Sequence, residues 1–83
     1  MEEQYESVIA LEDMCLISCL VVLGFPVLTL NYQKYPQVSF HFGKSKRLEE
    51  TMESFFNGSL LIEPKSFWAT VRELKARIKS IKN

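Results

Sequence analysis

The stretch that most limits what this chain can fold into is residues 14–23, Met-Cys-Leu-Ile-Ser-Cys-Leu-Val-Val-Leu, an apolar run followed by Gly24 and Pro26. Gly24 offers a C-terminal cap and Pro26 bars continuation. Glu12 and Asp13 suit the positive end of a helix dipole, so the spacing predicts a helix over residues 12–23 with both acids in its first turn. Met14, Cys15, Leu16, Ile17, Cys19, Leu20, Val21, Val22 and Leu23 leave only Ser18 to face water. A helix that is apolar all round is buried on every side. A chain of 83 residues can achieve that in two ways. Either the helix lies across a sheet beneath a second helix, or residues 14–23 enter a homodimer interface. A membrane span is not expected, because it needs ~20 unbroken apolar residues and Gly24, Phe25 and Pro26 interrupt the stretch.

The remaining elements are read around this helix. Residues 7–10 are predicted as a short strand. Residues 27–32 and 37–42 are predicted as a hairpin around Gln33, Lys34, Tyr35 and Pro36. Val38, Phe40 and Phe42 alternate with Ser39 and His41, which puts the aromatic set on one face. Ser45 is a candidate N-cap for a helix over residues 46–57, with Leu48, Met52, Phe55 and Phe56 as its buried stripe and Asn57-Gly58 as its close. Residues 60–62 are a candidate short fourth strand. Pro64 fits the first position of a last helix over residues 64–81. There Phe67, Val71, Leu74, Ile78 and Ile81 step by 4, 3, 4 and 3, within about 80° of helix surface. The expected fold is α+β: a three-stranded sheet, with the short piece as an optional fourth strand, and about three helices. The order is β-α-β-β-α-(β)-α in a single domain over residues 1–83.

Apolar residues make up 47% of the chain, enough for a packed core and too many for a disordered tail. Net charge is zero, but it conceals a gradient. Residues 1–20 carry Glu2, Glu3, Glu6, Glu12 and Asp13 with no cation, a charge of −5. Residues 65–83 carry six cations against Glu73, a charge of +5. Such asymmetry marks either a surface for an acidic partner at one end or a solvated face that suits the helix dipoles. The acidic N-terminus is unlike a secretory signal. Together with unpaired cysteines this points to the cytoplasm.

Candidate chemistry is thin. Gly43-Lys44-Ser45 sits between a strand and a helix, where a phosphate-binding loop would lie, but the glycine such a loop needs five residues earlier is Val38. Cys15 and Cys19 share a helical face, yet zinc takes four ligands as a rule and the one histidine is His41. Glu49, Glu50 and Glu53 stand beside Lys46 and Arg47 as solvated helix partners. The expectation is a protein that is not an enzyme and uses no metal or cofactor.

One pattern rises above this background. Helical spacing places Lys82, Lys75, Trp68, Lys79 and Arg72, in that order, between about 60° and about 140° from Phe67. Cations beside a flat ring are what nucleic-acid binding requires: charge for phosphates, a π-face for bases. The competing reading is that the Arg and Lys stems pack over a Trp that caps the edge of the core.

The residues 16–24, Phe40-His41-Phe42, Phe55-Phe56-Asn57-Gly58, and Pro64-Lys65-Ser66-Phe67 through Arg72-Glu73-Leu74-Lys75 carry a resemblance. The chain resembles a small prokaryotic and phage-borne family classed as a domain of unknown function. Its members open with a strand and an apolar helix ending in Gly, then a hairpin, a Phe-x-x-Gly helix and a Pro-x-x-Phe helix. Relatives open the first helix after Thr, where Leu11 and Glu12 stand here. The resemblance covers residues 7–78 and brings no functional residues with it. It implies a bacterial or mobile-element setting, in which small proteins act as accessory modules or inhibitors of host machinery. The expected function is a binding module that contacts nucleic acid or a nucleoprotein through Trp68, Arg72, Lys75, Lys79 and Lys82. The alternatives are an anti-CRISPR-like inhibitor docking on a host protein with an acidic surface, and a homo-oligomeric structural unit.

Overall fold

The computed structural model describes residues 7–81. Its centre is strand β3 (Ser39–Gly43), flanked antiparallel by β1 (Val8–Leu11) and β2 (Val27–Asn31) in the order β1-β3-β2. Phe40 and Phe42 are buried on the inner face, and their strand partners Leu11, Ile9, Leu30 and Val27 line the same face. Val27 and Leu30 are three residues apart, so strict alternation would turn them to opposite sides. A bulge at Leu28 resolves this: Val27 pairs with Phe42 and Thr29 with His41, leaving Leu28 as the extra residue. The outer face carries Val8, Ala10, Thr29 and Asn31, all exposed, with Ser39 and His41 half-buried between them.

Helix α1 (Met14–Val22) lies on the inner face. It starts two residues later than its acids suggest, because Asp13 is the N-cap: one carboxylate oxygen accepts from the amides of Cys15 (2.9 Å) and Leu16 (3.1 Å). Its end is a Schellman turn. Gly24 takes φ +94°, its amide donates to the Val21 carbonyl, and the Phe25 amide donates to Leu20. Leu16, Ile17, Ser18, Cys19 and Leu20 are all buried, with the sheet on one side and the later helices on the other. Ser18, expected at the water-facing side, is instead fully enclosed at 0% exposure, and Cys15 is the exposed member of the helix. The reason is that α3 packs along α1 and covers the side away from the sheet. One chain therefore encloses residues 16–20 without a second copy.

Helix α2 (Lys46–Phe56) begins at Ser45, whose hydroxyl accepts from the Leu48 amide at 3.1 Å. Leu48 is buried, and Met52 and Phe55 are half-buried. Phe56, expected in the same stripe, falls at its edge and is 68% exposed. Arg47 does not pair with the helix glutamates. Its Nη2 donates to the Leu23 carbonyl at 3.2 Å and its guanidinium lies 4.2 Å from the centre of the Phe25 ring. It thus clamps the turn after α1 to the start of α2. A second Schellman turn, with Gly58 at φ +81°, ends α2.

Residues 60–62 pair with no strand among the described residues, so the sheet has three strands and not the optional fourth. The piece runs on the helical side, where Leu60 and Ile62 face inward and Leu61 is 89% exposed. Helix α3 (Pro64–Ile81) follows. Both carboxylate oxygens of Glu63 cap it, accepting from the Lys65 amide (2.9 Å) and the Ser66 amide (2.8 Å). Val71 and Leu74 bury its apolar stripe, with Phe67, Ile78 and Ile81 half-buried. The fold is α+β.

Candidate functional site

The stripe of α3 fixes the rotation of that helix, and with it the position of every other side chain it carries. Trp68, Arg72, Lys75 and Lys79 share a flank beside the stripe and all are exposed. Lys82 lies outside the described residues. Trp68 is 58% exposed and does not belong to the core cluster. Among the described residues no cation stacks on its ring; the cation–π contact there is that of Arg47 on Phe25. More than half of the Trp68 surface is therefore open. Among the described residues the one ion pair is Lys44 to Glu49 at 3.8 Å, so Arg72, Lys75 and Lys79 have no carboxylate partner there. The single acid within α3, Glu73, lies about 100° from Arg72 and so away from the arc. An unpaired cation keeps its full field for an incoming anion, and an uncovered indole keeps a face for stacking.

The other candidates resolve into structural roles. In Gly43-Lys44-Ser45 the Lys44 amide donates to the Ser7 carbonyl and Ser45 caps α2. The inner face of the sheet carries the core and α1, whereas His41 faces outward, so the sheet separates His41 from Cys15 and Cys19. Burial pushes the Cys19 thiol above its ordinary pKa, and the neighbouring Cys15 adds to this. Both cysteines are free. No group of three or more His, Cys, Asp or Glu side chains gathers among the described residues. No described helix is long and apolar enough to cross a membrane.

A second surface was not visible in the sequence. Cys15, Cys19, Phe55, Leu60, Ile62 and Phe67 line an open apolar groove of about 390 Å³, formed where α1, the end of α2 and the start of α3 converge. The only hint was the apolar piece at residues 60–62, which reads equally well as a strand.

A family model described as a domain of unknown function matches residues 6–80. The chain belongs to the DUF5659 family. No curated protein and no solved structure matches it. The DUF5659 match runs from before β1 almost to the end of α3, so the α3 flank and the groove both lie inside the family domain and not on an appendage to it.

Proposed function

We propose that this chain is a small non-enzymatic binding module that contacts nucleic acid, or a nucleoprotein, through Trp68, Arg72, Lys75 and Lys79. The observation that carries the reading is the state of these four side chains. They occupy one arc of an anchored helix, they are exposed, and among the described residues neither an ion pair nor the core uses them. Three cations in a row along about two turns match the repeat of a phosphate backbone better than a compact anion. The open indole beside them favours strands whose bases are accessible, because stacking needs a free π-face. The contact is a docking one. Phosphates meet Arg72, Lys75 and Lys79, a base lies on Trp68, and counterion release supplies much of the free energy.

Fluorescence anisotropy with labelled single- and double-stranded DNA and RNA, at low and at physiological salt, tests this. Binding that falls steeply with salt, and is stronger for single strands, is the expected result. Absence of binding to every probe at low salt would sink the reading. The basic flank would then pass to the alternative, an acidic host protein bound in the manner of an anti-CRISPR inhibitor. Charge reversal at Lys75 should abolish that complex too, while nuclease treatment should leave it intact.

A further inference from the structure

The apolar surface that the sequence assigned to α1 sits elsewhere. Residues 16–20 of α1 are enclosed, whereas Cys15, Phe55, Leu60 and Phe67 line an open groove. Its volume of about 390 Å³ is in the range that takes a bulky ligand group. Carboxylates flank its lining residues along the chain. Asp13 caps α1 two residues before Cys15, and Glu63 joins the lining residues Ile62 and Pro64. Glu63 is held below its ordinary pKa by the Lys65 amide and then by the Ser66 hydroxyl and amide, so it stays charged in any near-neutral medium. Glu12 is exposed beside Asp13, and Lys65 is the one cation next to the lining segment. An apolar groove whose lining residues have carboxylates as chain neighbours calls for an apolar anchor accompanied by cations.

The chain itself carries that surface. Trp68 is an exposed aromatic, and Arg72, Lys75 and Lys79 follow it along the same flank of α3. Trp and Arg are the residues most often found at the energetic centre of protein interfaces. Net charge is zero overall, so two copies meet without long-range repulsion. We infer that the groove receives the Trp68 flank of a second copy of this chain, with Arg72, Lys75 and Lys79 facing Asp13 and Glu63. Each protomer offers one groove and one flank, so two copies exchange them reciprocally in a closed dimer, or each engages a different neighbour in a ring or chain. Trp68 does not line the groove of its own chain, so each protomer's flank remains open to a neighbour's groove. The same flank is the proposed nucleic-acid site. Nucleic acid and a second copy therefore exclude one another.

Sedimentation velocity of the full chain over a range of concentration and salt tests this, with Cys15 as reporter. The expected result is an average mass that rises above the monomer with concentration and falls with salt. The rate at which iodoacetamide modifies Cys15 should fall as association proceeds. Cys15→Trp fills the groove and Trp68→Ser removes the anchor, so each variant alone should be monomeric. Mixed, they should form a one-to-one dimer that grows no further. Alkylating Cys15 in the wild-type chain blocks the groove by a second route should Cys15→Trp fail to fold, and Lys75→Glu similarly replaces Trp68→Ser. A wild-type chain that stays monomeric at its solubility limit overturns the inference, as does a mixture that stays monomeric while the wild type associates. Cys15→Trp leaves the basic flank intact, so its binding to single-stranded DNA reports on the nucleic-acid reading separately.

Discussion

Removing the hydroxyl of Ser18 should stabilise this protein. Ser18 is completely buried within α1, and its oxygen has no hydrogen-bond partner among the described residues. Protein mutational data put an unpaired buried hydroxyl at a cost of about 1–3 kcal/mol. Alanine is also the better helix former by a few tenths of a kcal/mol. The loss of one oxygen leaves a void smaller than a methyl group, which returns only a fraction of that gain. The sum favours Ser18→Ala by roughly 1–3 kcal/mol. That is large against the ~4–12 kcal/mol expected for a chain of this length. At about 4–8 °C per kcal/mol for a domain of this size, the melting temperature should rise by at least ~4 °C. Thermal and urea unfolding followed by circular dichroism would measure it, and the urea slope should stay constant because the exposed surface hardly changes. A fall in melting temperature would refute the reasoning. It would mean that the hydroxyl is paired in solution, either with the carbonyl one turn earlier in α1 or with a buried water.

Three further outcomes follow from named contacts. Arg47→Ala removes the bond to the Leu23 carbonyl and the cover over Phe25, and should cost about 1–2 kcal/mol in urea titrations, whereas Arg47→Lys should recover only part of it. Glu63 has a folded pKa below its unfolded one, so its contribution is complete above the ordinary glutamate range and is lost as pH falls through that range towards the lowered value. Glu63→Gln should accordingly flatten the acid limb of a stability–pH curve and leave its neutral limb with the same slope. If the proposed nucleic-acid contact forms, Lys75→Ala with Lys79→Ala should reduce the salt slope of binding by about two, and Trp68→Ala should weaken single-strand binding by roughly 1–3 kcal/mol. Unchanged affinity in both variants, each with a wild-type helical spectrum, would place binding elsewhere on the molecule.

Much of this architecture was determined within short windows of sequence. The stripe of Phe67, Val71, Leu74, Ile78 and Ile81 is the inward side of α3, and Val38, Phe40 and Phe42 form the buried side of the central strand segment. Gly24 and Gly58 take the left-handed conformation their helix ends require, and Ser45 caps α2. These features depend on neighbours within about one helical turn, which is why periodicity and capping chemistry expose them. The exposed basic flank of α3 was legible for the same reason, since fixing one side of a helix fixes the others.

Packing decided the rest. Residues 14–23 announced that their helix had to be covered but not by what, and the covering element, α3, begins more than forty residues after α1 ends. That distant contact turned Ser18 inward and left Cys15 at a groove. Arg47 has acidic neighbours on its own helix, yet its partners are Leu23 and Phe25, more than twenty residues earlier. Residues 60–62 have the composition of a strand, but strand formation needs a free edge within reach, and the chain carries them across the helices instead. The bulge at Leu28 exists because Val27 and Leu30 must both meet the core. Hydrophobic pattern states which residues share a face; which faces meet is settled only when the whole chain minimises its exposed apolar surface at once.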